Sequence, residues 1–138
     1  MFKRFQLKVN IFLAKITNYD EIGRSFTTQY YAMFDNQATR ANVANQYHVE
    51  SLMKFNGTVI HGSAKIMEKI QSLTFQQITH VIGSVDCLPT NDGGILINVL
   101  GQLAAIQTQS FAQAFVLKKD PLGAWWISED IFRLGNNV

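Results

Sequence analysis

The side chains able to do chemistry are few and scattered. Tyr31, His80, Asp86 and Asp130 are residue types that general acid–base catalysis uses. Yet no nucleophile–base pair and no pair of carboxylates stands at a telling spacing. His80 sits in a run with alternating apolar neighbours, the setting of a histidine satisfied by the core around it. Asp130 and Arg133 are three apart near the chain end, which predicts that they pair with each other or with a neighbouring strand. Three dispersed histidines and one cysteine make no metal-ligand pattern, so neither a metal nor another cofactor is expected. The lone Cys87 excludes an intrachain disulfide and reads as a small buried strand residue.

The elements that must position these groups follow from periodicity. In ILINVLGQL, residues Ile95, Ile97, Val99 and Leu103 fall on one face and Leu96 and Leu100 on the other. FAQAFVL repeats the pattern, with Phe111, Phe115 and Leu117 opposite Ala112, Ala114 and Val116. In AWWISEDIFRL the same count sets Trp125, Ile127 and Ile131 against Trp126 and Phe132. Strands apolar on both faces are strands covered on both sides. Asp120-Pro121-Leu122-Gly123 is turn chemistry that makes the last two runs an antiparallel hairpin.

Upstream, Ile22, Phe26, Tyr30, Met33 and Phe34 form an apolar stripe at helical spacing, ending near Asp35-Asn36. Asn18 followed by Glu21 predicts a capping box at its start. QATRANVANQYH predicts a second, short helix, and LMKF and TVIHG a hairpin about Asn56-Gly57, suited to a type I′ turn. Ser63 opens a third helix with Ile66, Ile70 and Leu73 inward, after which FQQITHVIGSVDCL runs as a long strand to the turn PTNDGG. Helix, helix, hairpin, helix and four long antiparallel strands predict an α+β fold, with three helices on one face of a strongly curved antiparallel sheet. Three short helices leave the other face bare, so a second copy of the sheet is expected to cover it in a homodimer.

Composition fits one soluble domain: 138 residues, 47% apolar and 16% charged, with no apolar run long enough to span a membrane. The net charge of +2 is uneven. Lys3, Arg4, Lys8 and Lys15 lie in the first sixteen residues with no acid among them, leaving eight basic residues against ten acidic ones in the body. That balance excludes a basic nucleic-acid binder. Residues 1–18 read as a basic amphipathic extension, with Phe2, Phe5, Val9, Phe12 and Ile16 at three- and four-residue steps; residues 19–138 form the domain.

These segments carry a resemblance. GxxFxxxYYxxFDN from Gly23 to Asn36, HGSAKIMEKIQSLTFQQITH, PTNDGG, VLGQL, FAQAFVLKK and AWWISEDIFRL resemble the nuclear transport factor 2 family, in its order and near its spacing. The resemblance implies a cone-shaped, cystatin-like roll, a homodimer, and no catalysis. It further implies a carrier that takes GDP-bound Ran through nuclear pores by binding phenylalanine-glycine repeats, found in cytoplasm, nucleus and at the pore. Two other readings accompany it: a non-catalytic module that pairs with another export or scaffold protein, and a small-molecule isomerase or dehydratase using the cone cavity. Cone-fold relatives of the latter kind bury Tyr, His and Asp.

Carried over position by position, the family's Ran socket falls on Phe55, Asn56, Leu73, Ile78 and Phe132. Where the family has Trp-Glu-Gly, this chain has Phe55-Asn56-Gly57, so the aromatic is kept and the carboxylate lost. The family's acidic loop after VxGQL is here AAIQTQS, two residues shorter, and no acid occurs between Asp92 and Asp120. The resemblance therefore implies a Ran contact weakened or altered by the missing acids. Tyr19 stands where the family has a tryptophan implicated in repeat binding, and its ring can stack on phenylalanine.

Overall fold

The computed structural model describes Lys3, Gln6 and residues 18–73 and 77–135. The amphipathic extension expected over residues 1–18 therefore lies largely outside the described residues. Helix α1 (Tyr19–Asp35) is followed by a 3-10 helix (Arg40–Gln46), strands β1 (Tyr47–Phe55) and β2 (Thr58–His61), and helix α2 (Ser63–Gln71). Four strands complete the chain: β3 (Thr79–Pro89), β4 (Ile95–Ala104), β5 (Thr108–Lys119) and β6 (Trp125–Leu134). They form one six-stranded sheet in the order β2-β1-β6-β5-β4-β3. The helices pack on one face of it, the α+β roll that the periodicity predicts.

Two local expectations change. The Asn18 side chain makes no cap bond; its backbone carbonyl accepts the Ile22 N–H at 3.0 Å, and the acids Asp20 and Glu21 are left to complement the helix dipole. One junction of the sheet is parallel, β1 against β6, because the chain's first strand closes onto its last. The Asn56-Gly57 turn has the two positive φ angles, 47° and 91°, of a type I′ hairpin.

The alternation of β4 and β5 is as predicted: Ile95, Ile97, Val99, Phe111, Phe115 and Leu117 are buried beneath the helices. In β6 it breaks. Leu117 pairs with Ile127 but Val116 pairs with Glu129, so Ser128 is an extra residue. The bulge shifts the phase, burying Ile127 and Phe132 together and turning Ile131 outward, where it is 54% exposed. Ser51 mends the ladder from β1, its hydroxyl accepting the His48 N–H at 2.8 Å and donating to the Ile127 carbonyl at 2.5 Å. A strict two-residue count could not foresee this.

Helix α1 lies tightly on β3 at Gly23. A Cβ there would stand 2.6 Å from the Cys87 Sγ, which is why a small buried cysteine fits that strand position. Gly23→Ala is expected to destabilise the protein by about 1–3 kcal/mol through overpacking, despite alanine's better helix propensity. Cys87→Ala in the same chain should recover part of the loss. Denaturant midpoints of the two single variants and the double variant check this; strictly additive effects would separate the two sites.

Candidate docking cavity

The sheet's curl and helix α2 enclose a cavity of about 250 Å³ at the end of the sheet where the β1–β2 turn lies. Phe55, Leu73, Ile78 and Phe132, four of the five socket positions, line it together, with Leu103 and Leu134 among the other apolar residues of the wall. Parallel pairing of β1 with β6 sets Phe55 directly beside Phe132. Their rings stack at 5.0 Å, and Phe132 in turn stacks on Phe111 at 5.9 Å. Lys69, from the last turn of α2, holds its ammonium 4.5 Å from the centre of the Phe55 ring.

Asn56 is engaged differently from a partner-facing acceptor. Its backbone N–H donates to the Phe132 carbonyl at 2.9 Å, and its Oδ1 accepts the Leu134 N–H at 2.9 Å. The side chain thus anchors the end of β6, and its acceptor oxygen already has a protein donor. Tyr19 is half-buried at the start of α1, packed on the edge of the core, and is not among the residues that line the cavity.

The cavity's inner wall is polar and closed on itself. Tyr31 donates to Gln113 Oε1 at 2.6 Å, and Gln113 donates to Asp130 Oδ1 at 2.9 Å. Tyr47 donates to Asp130 Oδ2 at 2.7 Å, so the 2.8 Å contact between the two phenols has Tyr30 as donor. Burial raises the Asp130 carboxyl to about 6, against the pull of its two donors. Burial first, and Asp130's charge second, push Tyr30 and Tyr47 well above the ordinary phenol range.

His80 is satisfied elsewhere. Its Nδ1 lies 2.6 Å from Asp35 Oδ1, its backbone N–H donates to Asp35 Oδ2 at 2.8 Å, and its ring stacks on Tyr31 at 4.3 Å. Asp86 faces outward on β3, away from this cluster. Asp130 and Arg133 do not pair with each other, because residues three apart on a strand lie on opposite faces; Asp130 is inside, bonded to the neighbouring strands β1 and β5, and Arg133 is outside. Sequence reasoning missed Tyr30, Tyr47, Gln113 and Asp35 as members. Gln113 did carry a signal, since it occupies an inward position between Phe111 and Phe115 where only a bonded amide is tolerated.

The raised Asp130 carboxyl has a measurable consequence. Its proton is held more tightly in the folded chain than at the unfolded value near 3.9, so this group's contribution to stability falls as pH rises from about 4 to 6. The charged form then costs about 3 kcal/mol, at about 1.4 kcal/mol for each pH unit of displacement. Asp130→Asn should remove that decline. Urea unfolding of both proteins between pH 4 and 7 tests it. A constant difference between them would mean that Asp130 titrates as it does in water.

On the opposite face the sheet is largely apolar: Leu88, Leu96, Leu100 and Ile131 are exposed on β3, β4 and β6, with Ala112, Ala114 and Val116 on β5 between them. Among the described residues, no cluster of His, Cys, Asp and Glu could hold a metal, and no helix is long and apolar enough to cross a membrane.

The profile of the nuclear transport factor 2 (NTF2) domain matches residues 22–134, most of the chain. The chain belongs to the nuclear transport factor 2 family. Nuclear transport factor 2 of Neurospora crassa is 38% identical over 120 residues, 85% of this chain and 95% of that protein. Nuclear transport factor 2B of Arabidopsis thaliana is 36% identical over 83% of this chain and 93% of its own. The solved nuclear transport factor 2 of Cryptosporidium parvum superposes with a TM-score of 0.80 at 32% identity, covering 86% of this chain and 95% of its own. These matches cover 83–86% of this chain and 93–95% of each relative.

Proposed function

We infer that this nuclear transport factor 2 family member is a non-enzymatic nuclear transport carrier that docks GDP-bound Ran at the cavity mouth. The observation that carries this is the convergence of Phe55, Leu73, Ile78 and Phe132, separate in sequence, on one apolar cavity. Such a socket takes an inserted side chain of the partner. The chain works as a homodimer through the apolar outer face and binds phenylalanine-glycine repeats of pore proteins weakly, with Tyr19 part of that site. It moves between cytoplasm and nucleus through the pore.

An isomerase or dehydratase is the weaker reading. Asp130's two oxygens, Gln113's carbonyl and the hydroxyl protons of Tyr30, Tyr31 and Tyr47 are all engaged with one another. A general base needs an oxygen or nitrogen free to take a substrate's proton.

The test is retention of Ran on the immobilised protein, with GDP-loaded and GTP-loaded Ran compared. Selective retention of the GDP form is expected. Failure of both forms to bind at tens of micromolar would refute the Ran reading.

A further inference from the structure

We propose that the cavity mouth selects a docking segment whose inserted apolar side chain has a carboxylate next to it, and that Lys69 reads that charge. This rests on the docking role of the cavity and specifies the chemistry of what docks there. Two charged side chains line the cavity, Lys69 and Asp130. Asp130 is buried, with both oxygens occupied by Gln113 and Tyr47, so its charge is spent inside the wall. Lys69 is half-buried beside Phe55 and forms no ion pair among the described residues.

The rest of the rim supplies no counter-charge. Asn56 is neutral and its oxygen is bonded to the Leu134 N–H. Residues 104–110, which join β4 to β5, contain no acid. A segment that threads an apolar side chain past Phe55 brings its flanking residues against the Lys69 ammonium. A flanking lysine or arginine is then repelled by a partly desolvated ammonium, whereas aspartate or glutamate pairs with it. The mouth therefore favours an acidic flank over a basic one. Lys69 also favours the C-terminal end of α2 through the helix dipole, a structural role that the test must set apart.

The probes are two twelve-residue peptides, identical except that a central phenylalanine is flanked by aspartates in one and lysines in the other. The acidic peptide is expected to bind the full chain about tenfold more tightly at low salt. The gap should narrow in high salt, because the rim is open to solvent. It should vanish in Lys69→Met, which keeps an apolar stem on Phe55, and persist in Lys69→Arg. A purely structural Lys69 would change stability in Lys69→Met but leave the preference intact. Equal affinities, a preference for the basic peptide, no binding of either at millimolar concentration, or a preference surviving Lys69→Met would each overturn the proposal. GDP-loaded Ran is titrated on the same samples. Ran that binds the parent and not Phe55→Ala, while the peptides show no charge preference, defeats this inference and leaves the docking role standing. Loss of Ran binding in the parent defeats the docking role itself.

Discussion

Leu100→Asp is expected to turn the proposed homodimer into a folded monomer. Leu100 lies on the outer face of β4, cross-strand from Ala112 and Ser84, and is 49% exposed in the single chain. A charge there meets water in the monomer and costs the protomer little. In a two-fold dimer the same residue appears in both copies of one patch, so each substitution places two carboxylates in the contact. Burying each without a partner costs about 2–3 kcal/mol, together roughly a thousandfold or more in dimer affinity. Sedimentation at micromolar concentration, with unfolding measured alongside, reads both consequences. A Leu100→Asp protein that stays dimeric would move the interface off this face. One that unfolds would show that the protomer needs its partner to fold. Leu100→Ala, which removes apolar area without adding charge, should weaken the dimer far less.

Phe55→Ala should weaken the docking of GDP-loaded Ran by about thirtyfold or more. Phe55 forms one wall of the socket, stacked on Phe132 and capped by Lys69, the setting in which an aromatic residue contributes 2 kcal/mol or more to an interface. The protomer should remain folded, because Phe55 is only half-buried and the core beneath it is built by Tyr30, Phe34 and Phe132. Binding by the parent chain should not weaken with salt, since no rim carboxylate attracts a basic partner from a distance. Isothermal titration at two ionic strengths checks both points. An unchanged affinity in Phe55→Ala, or a steep fall with salt in the parent, would contradict this description of the mouth.

Restoring an acid at residue 56 requires the right acid. Asn56 has a φ of 47° and its Oδ1 holds the Leu134 N–H. Glutamate there would lose that bond and strain the left-handed turn, whereas aspartate tolerates the conformation and keeps an acceptor at the same reach. Asn56→Asp is therefore the substitution that adds a carboxylate at this turn without loosening β6.

The sequence by itself determined the elements and most of the burial. Period-two apolar runs placed Ile95, Ile97, Val99, Phe111, Phe115 and Leu117 on one face because a strand's side chains alternate whatever it pairs with. The stripe from Ile22 to Phe34 marked α1, and Asn56-Gly57 marked a turn whose two positive φ angles few other residue pairs adopt. Its segments also carried the family. What only the tertiary structure decided were the contacts between residues far apart in the chain. The bulge at Ser128 is bridged by Ser51, seventy-six positions upstream of Ile127, whose hydroxyl bonds the Ile127 carbonyl; nothing in AWWISEDIFRL announces a phase shift. The same shift buried Asp130, which bonds to Tyr47 and Gln113 on the neighbouring strands, while Arg133, three positions on in a strand, falls on the opposite face. The wall of tyrosines and Gln113 around Asp130 was illegible for the same reason. Hydrogen bonds spanning seventeen to eighty-three positions leave no local period; they form only when the sheet curls and brings β1, β5 and β6 under α1.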